Sequence, residues 1–139
     1  SSATLDAFLG EISLADALMA PTRIYVQSVL PLLEKVEIRA IAHITGGGLP
    51  GNIARVIPGG LEVHIDSDRW PTPPVFDWLQ SQGSITAEEM ARTFNCGIGL
   101  VLVTDPANVN HAREILEEYG ETVFDLGTVT CGERGVVID

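Results

Sequence analysis

Three consecutive glycines, Gly46-Gly47-Gly48, follow His43-Ile44-Thr45 and precede Leu49-Pro50-Gly51-Asn52. Before them, Ile38-Arg39-Ala40-Ile41-Ala42 has the apolar character of a buried strand, predicted over about 38–44. After them, Asn52-Ile53-Ala54-Arg55-Val56-Ile57 reads as a short helix. The chain must therefore pass from strand to helix through residues that lack a Cβ. Glycine adopts positive φ readily and lets a backbone approach a ligand closely. A helix start presents free N–H groups and a partial positive charge. Such a turn suits a phosphate or a developing oxyanion, and His43 beside it can carry a proton near neutral pH.

The length of 139 residues is that of one domain, and 45% hydrophobic residues are enough for a core. The net charge of −11 repels nucleic acid and anionic membrane surfaces, so neither is expected as a partner. A local set of N–H groups and an arginine can still hold a small anion. With Lys35 as the single lysine, Walker-type phosphate binding has almost no candidate. Cys96 and Cys131 lack histidines at metal-ligand spacing and read as reduced core thiols. No apolar run is long enough for a membrane span, and no signal peptide is recognisable.

Residues 1–20 read as a tether, with Ser13 capping a short helix over Leu14 to Leu18 that Pro21 closes. A helix is predicted over 24–36, kinked or restarted at Pro31. Leu61 to Asp66 alternates apolar and polar, which predicts a half-exposed strand with His64 solvated. Asp66-Ser67-Asp68 reads as a turn rather than a Mg²⁺ site. Val75, Phe76 and Leu79 predict a helix ending near Gly83. Thr86 and Glu89 form a capping box for the next helix. Gly97 to Val103 predicts a central buried strand. Asp105-Pro106 opens a helix burying Val109, Ala112, Ile115, Leu116 and Tyr119, with His111 outside that stripe. Thr122 to Val129 and Gly135 to Ile138 complete the strands. Without strict alternation of strand and helix, the order predicts a single α+β domain, a mixed β-sheet packed with helices.

Chemistry concentrates in two loops, His43 to Asn52 and Arg92-Thr93-Phe94-Asn95-Cys96-Gly97-Ile98-Gly99. Thr45, Thr93 and Asn95 can hydrogen-bond an amide or hydroxyl of a ligand. A lone histidine at a strand end and a run of glycines also serve as a satisfied structural group and a tight turn. From the residues alone both readings stay open.

Four segments together resemble one family. They are Ala20-Pro21-Thr22-Arg23-Ile24-Tyr25, Ala42-His43-Ile44-Thr45-Gly46-Gly47-Gly48, Asn52-Ile53-x-Arg55-Val56-Ile57-Pro58 and Arg92 to Gly99. In this order and spacing they resemble the C-terminal half of the phosphoribosylformylglycinamidine cyclo-ligases, or aminoimidazole ribonucleotide synthetases. The resemblance runs from about Leu18 to the end. It implies the α+β C-terminal domain of a two-domain enzyme over 21–139, with the N-terminal ATP-binding half absent. It implies a cytoplasmic purine-biosynthesis ligase that converts formylglycinamidine ribonucleotide and ATP to aminoimidazole ribonucleotide, ADP and phosphate. ATP and Mg²⁺ would be bound mainly by the absent half, with no metal ligand on this chain, and the chain alone would be inactive. The implied partners are the ribonucleotide substrate, the chain's own N-terminal domain and a second copy in a homodimer formed mainly through that domain. The cleft between the halves would place His43 as the catalytic residue. Thr45, Gly46, Gly47, Gly48, Asn52, Thr93, Asn95, Thr22 and Arg23 would bind substrate or phosphate. The competing reading is a stand-alone α+β module that binds an anionic metabolite without catalysis. Continuous coding sequence upstream of Ser1 would favour the first reading.

Overall fold

The computed structural model describes residues 8–9 and 12–139. In chain order these form β1 (Phe8–Leu9), β2 (Ile12–Ser13), α1 (Leu14–Leu18), α2 (Val26–Lys35), β3 (Ile38–His43), α3 (Gly48–Ala54), β4 (Leu61–Ile65), α4 (Pro74–Gly83), α5 (Ala87–Thr93), β5 (Leu100–Thr104), α6 (Val109–Glu118), β6 (Gly127–Cys131) and β7 (Val136–Ile138). Short 3₁₀ turns at Ser67–Arg69 and Pro106–Asn108 precede α4 and α6. Of the 1–20 segment read as a tether, residues 1–7, 10 and 11 lie outside the described residues. Within it, α1 forms as expected: the Ser13 hydroxyl accepts the Asp16 N–H, and Leu14 is buried.

The α+β class holds, and the strands divide among separately hydrogen-bonded sheets. β3 pairs antiparallel with β5, and β4 lies between antiparallel β6 and parallel β7. The expected central position of the fifth strand is not found. Among the described residues β5 pairs only with β3, and all its residues are half-buried beside an open groove of about 1110 Å³. A continuous apolar run signals burial on both faces but does not say which neighbours supply it.

Two packed clusters support these sheets. Ala42, Ile44, Leu49, Ile53, Ile65 and Trp70 join β3, α3 and β4, while Leu32 and Val36 of α2 meet Ala112, Ile115 and Leu116 of α6. α2 runs through Pro31 without restarting. Tyr119, expected inside, is 47% exposed at the end of α6. Cys131 is exposed at the end of β6 rather than in the core, and Cys96 is half-buried; both thiols are free. Burial pushes the Cys96 thiol up, so it stays protonated. Thr86 caps α5 through its hydroxyl, which accepts the Glu89 N–H at 3.2 Å. The Glu89 carboxylate accepts the Thr93 hydroxyl.

The alternation in β4 misleads about its polar face. Glu62 is buried, because the turn before β7 folds over it. Arg134 donates to its carboxylate through Nη2 at 2.6 Å and through the backbone N–H at 3.0 Å. The same carboxylate faces His64 Nε2, so His64 is paired and only partly solvated. Asp66 is a turn residue, accepting the Asp68 N–H at 3.0 Å and an Arg69 guanidinium N–H at 3.3 Å.

The Arg134 hydrogen bonds hold the Glu62 carboxyl below the ordinary glutamate range, against the opposing effect of desolvation. Its pKa is lower folded than unfolded. The stabilisation is therefore complete above the ordinary range and lost as pH falls through the depressed value. Glu62→Gln is expected to flatten the acid limb of stability against pH, measured as thermal midpoints from neutral pH into acid. An unchanged slope would mean that Glu62 contributes none of it.

Candidate functional site

The antiparallel register of β3 and β5 decides where the site is. His43 ends β3 opposite Leu100, which begins β5, and the Ile44 N–H donates to Gly99 O at 2.9 Å. The loop after β3 and the loop before β5 therefore lie side by side. The helices that follow and precede them, α3 and α5, pack together. Gly48 is the contact point: its φ is +60°, and a Cβ there would lie 1.8 Å from Ala91 O of α5. Only glycine fits.

α3 begins at Gly48, earlier than its apolar pattern predicts, so the third glycine is already helical. Gly47 is the N-cap with φ +101°. The three glycines are thus not equivalent. Gly48 is buried and its N–H donates to Thr45 O at 3.1 Å. Gly46 and Gly47 are exposed, and their N–H groups have no partner among the described residues.

Asn52 holds the loop from within. It is 6% exposed, and its Nδ2 donates to Gly48 O at 2.7 Å, Thr45 O at 3.2 Å and Gly46 O at 3.4 Å. Its Oδ1 accepts from the Thr45 hydroxyl and from Arg55 Nη1, each at 3.4 Å. Asn52 therefore shapes the loop, and its own polar atoms are engaged.

Arg55 is the residue that the sequence reading left out of the site. One helical turn beyond Asn52, it brings its guanidinium Nη2 to 3.9 Å from where a Cβ of Gly47 would stand. Every other arginine pairs with a carboxylate: Arg23 with Glu121, Arg39 with Asp105, Arg69 with Asp66, Arg92 with Glu88, Arg113 with Glu117 and Arg134 with Glu62. Arg55 has none among the described residues. The i, i+3 spacing from Asn52 was the available signal.

The remaining expected residues are distributed unevenly. His43 is exposed at the strand end, with the Tyr25 ring edge-on at 6.2 Å between centroids. Asn95 sits in the neighbouring loop, where its Oδ1 accepts the Gly97 N–H at 2.9 Å; its amide nitrogen has no partner among the described residues. The Thr93 hydroxyl donates to Glu89 Oε1 at 3.1 Å. Arg23 is committed to Glu121 at 3.0 Å and to Gly120 O at 3.2 Å, and Thr22 is exposed beside it. Among the described residues no group of three or more His, Cys, Asp or Glu side chains could hold a metal ion. What the structure brings together at the glycine loop is a set of donors, two exposed amide N–H groups and a guanidinium without a carboxylate partner among the described residues, with His43 and Asn95 in the flanking segments. That set suits an oxygen-rich anion.

Asn52→Ala is expected to destabilise the domain by about 1–3 kcal/mol, because it leaves buried loop carbonyls without donors. Denaturant unfolding measures this, and an unchanged midpoint would mean that the loop keeps its shape unaided.

The family described as AIR synthase related protein, C-terminal domain, matches residues 1–139. The chain is 50% identical over 126 residues to the phosphoribosylformylglycinamidine cyclo-ligase of Nitrosococcus oceani, covering 91% of this chain and 35% of that protein. It is 50% identical over 123 residues to the Burkholderia mallei protein of the same name, and 49% over 123 residues to that of Burkholderia pseudomallei, covering in each case 88% of this chain and 35% of the relative. The chain thus spans about a third of the length of the curated relatives it matches. This chain belongs to the AIR-synthase-related C-terminal domain family.

Proposed function

We propose that this chain forms one wall of the catalytic cleft of a phosphoribosylformylglycinamidine cyclo-ligase, facing an N-terminal domain that binds ATP and Mg²⁺. The observation that carries the reading is the exposed pair of unpartnered glycine amides, Gly46 and Gly47, beside the one arginine, Arg55, with no carboxylate partner among the described residues. In a chain of net charge −11 an uncompensated arginine is costly to waste and well placed for an anion.

In the reaction, the formyl oxygen of formylglycinamidine ribonucleotide takes the γ-phosphoryl group of ATP, and ADP leaves. The amidine nitrogen then attacks the formyl carbon, the C–O bond breaks, phosphate departs and a proton is lost as the imidazole ring closes. The Gly46 and Gly47 N–H groups and Arg55 hold phosphoryl oxygens and stabilise the charge that builds on them. His43 moves the proton at the reacting amide. Thr45 and the Asn95 amide nitrogen orient the substrate, with Thr93, Thr22 and Arg23 at the margins of the cleft. Asn52 and Gly48 keep the loop in shape. The described donors do not fit a Mg²⁺ site, so no step is routed through a metal on this chain.

Exposed apolar side chains favour a further domain as partner: Met19 is 81% exposed, Ile24 80% and Val26 58%. Such a cluster is covered when a second domain packs there. The homodimer belongs, on this reading, to that second domain. No described helix is long and apolar enough to cross a membrane, and we place the enzyme in the cytoplasm.

The test joins this chain to the N-terminal domain of a relative and assays turnover of formylglycinamidine ribonucleotide with ATP. The joined enzyme should be active and this chain alone inactive; equal turnover by the chain alone would overturn the cleft. In the joined enzyme His43→Ala is expected to lower kcat by about 10²–10⁴ with an unchanged thermal midpoint. Arg55→Gln is expected to weaken product inhibition by inorganic phosphate and to lower kcat/KM by roughly 10- to 100-fold, the range for losing a charged hydrogen bond. Phosphate inhibition that ignores Arg55 would remove the arginine from the site.

A further inference from the structure

The Tyr25 ring is placed against His43 by contacts that come from four separate parts of the chain. Arg23, two residues earlier, is tied to Glu121 at 3.0 Å and to Gly120 O at 3.2 Å. Glu121 also accepts the Ser28 hydroxyl at 2.9 Å, and Ser28 itself is buried. The Tyr25 carbonyl accepts the Val29 N–H at 2.9 Å and the Ser28 hydroxyl at 3.0 Å, which opens α2 at this residue. The backbone of Tyr25 is thereby held on both sides.

Its side chain crosses to the other half of the site. The ring meets the His43 imidazole at 6.2 Å and 73°, the edge-to-face arrangement aromatic pairs prefer. The phenol tip lies over Gly99, the residue whose carbonyl accepts the Ile44 N–H. A Cβ on Gly99 would stand 1.9 Å from Tyr25 Oη and 3.0 Å from Cζ. Gly99 is therefore the space the tyrosine uses to reach His43. Gly99 has no positive φ that would require glycine on its own account. Burial and the nearby Glu121 carboxylate push the phenol up, so the ring stays neutral and adds no charge beside the histidine. The His43 imidazole is otherwise exposed, with no hydrogen bond or ion pair among the described residues.

We propose that Tyr25 is a positioning residue for His43: its ring, admitted by the missing side chain at Gly99, selects the imidazole orientation that transfers the proton. This rests on the proton-transfer reading of His43 and adds the residues that make an exposed histidine competent. The arginine–glutamate clasp at Arg23, Glu121 and Ser28 then acts on His43 through Tyr25.

The experiment uses the complete joined enzyme with ¹³C-labelled histidine, reading kcat, KM for each substrate and the His43 ring resonances. Tyr25→Leu is expected to lower kcat by about 10- to 100-fold, the scale for a misplaced catalytic group, with KM within about twofold. It should also remove the ring-current shift on His43. Tyr25→Phe keeps the ring and should stay near the parent in both readouts. Gly99→Ala leaves Tyr25 in the sequence but displaces its hydroxyl, and should reproduce the loss. The double variant Tyr25→Phe with Gly99→Ala removes the 1.9 Å clash with the hydroxyl, leaving the tight 3.0 Å contact to Cζ, and should recover part of kcat and of the shift. His43→Gln serves as the reference for the reading beneath. If His43→Gln is slow while Tyr25→Leu keeps the parental kcat, the positioning role is overturned and the histidine role stands. If His43→Gln turns over normally, both fall. If Gly99→Ala is slow and the double variant is no faster, the loss is not routed through the tyrosine, and the proposal also fails.

Discussion

The pairing of β3 with β5 is the constraint on which the rest of the site depends. An antiparallel ladder puts the end of one strand at the beginning of the other, so the residues after His43 and those before Leu100 must meet. A parallel pairing of the same strands would separate them by the length of the ladder. The Ile44 N–H bond to Gly99 O continues the ladder one step beyond the strands, into the site. Gly48 closes the other side, where the absence of a Cβ lets α3 lie against the backbone of α5. Each glycine thus answers a different demand: backbone contact at Gly48, positive φ at Gly47, and room for a tyrosine at Gly99.

Charge distribution explains how an acidic chain can offer an anion site. The long-range field is unfavourable to phosphate, but short-range donors dominate once water is displaced. The arginines other than Arg55 are neutralised locally by carboxylates, which leaves Arg55 as the arginine without a carboxylate partner among the described residues. The buried amide of Asn52 gives that loop its shape without adding charge. Shape and charge are therefore supplied by different residues on the same helix, Asn52 and Arg55.

How much was legible from the residues follows from which forces are local. The helix caps at Ser13 and Thr86 were readable, because a hydroxyl bonds an N–H a few residues away. The strand before the glycines and the helices around Leu32 and Ile115 were readable from apolar spacing. The start of α3 was not, since glycines have poor helix propensity and the helix is held there by packing on α5. His64 looked solvated because alternation implies one wet face. The Arg134 turn covers that face from 72 residues away. Tyr119 looked buried because it keeps the stripe of α6, but it falls where the helix ends and is left 47% exposed.

By itself, the sequence determined the α+β class, the order of elements from α1 onward and the family, and it singled out the glycine loop as the candidate site. These rest on local spacing, capping and a short run of residues whose backbone freedom is unusual. Tertiary structure alone decided which glycine amides stay open, that Asn52 serves the loop from inside, that Arg55 is left without a carboxylate, and that Tyr25 reaches His43 across Gly99. Each of these depends on distances between segments far apart in the chain, and such distances exist only once both sheets and the helices on them have packed.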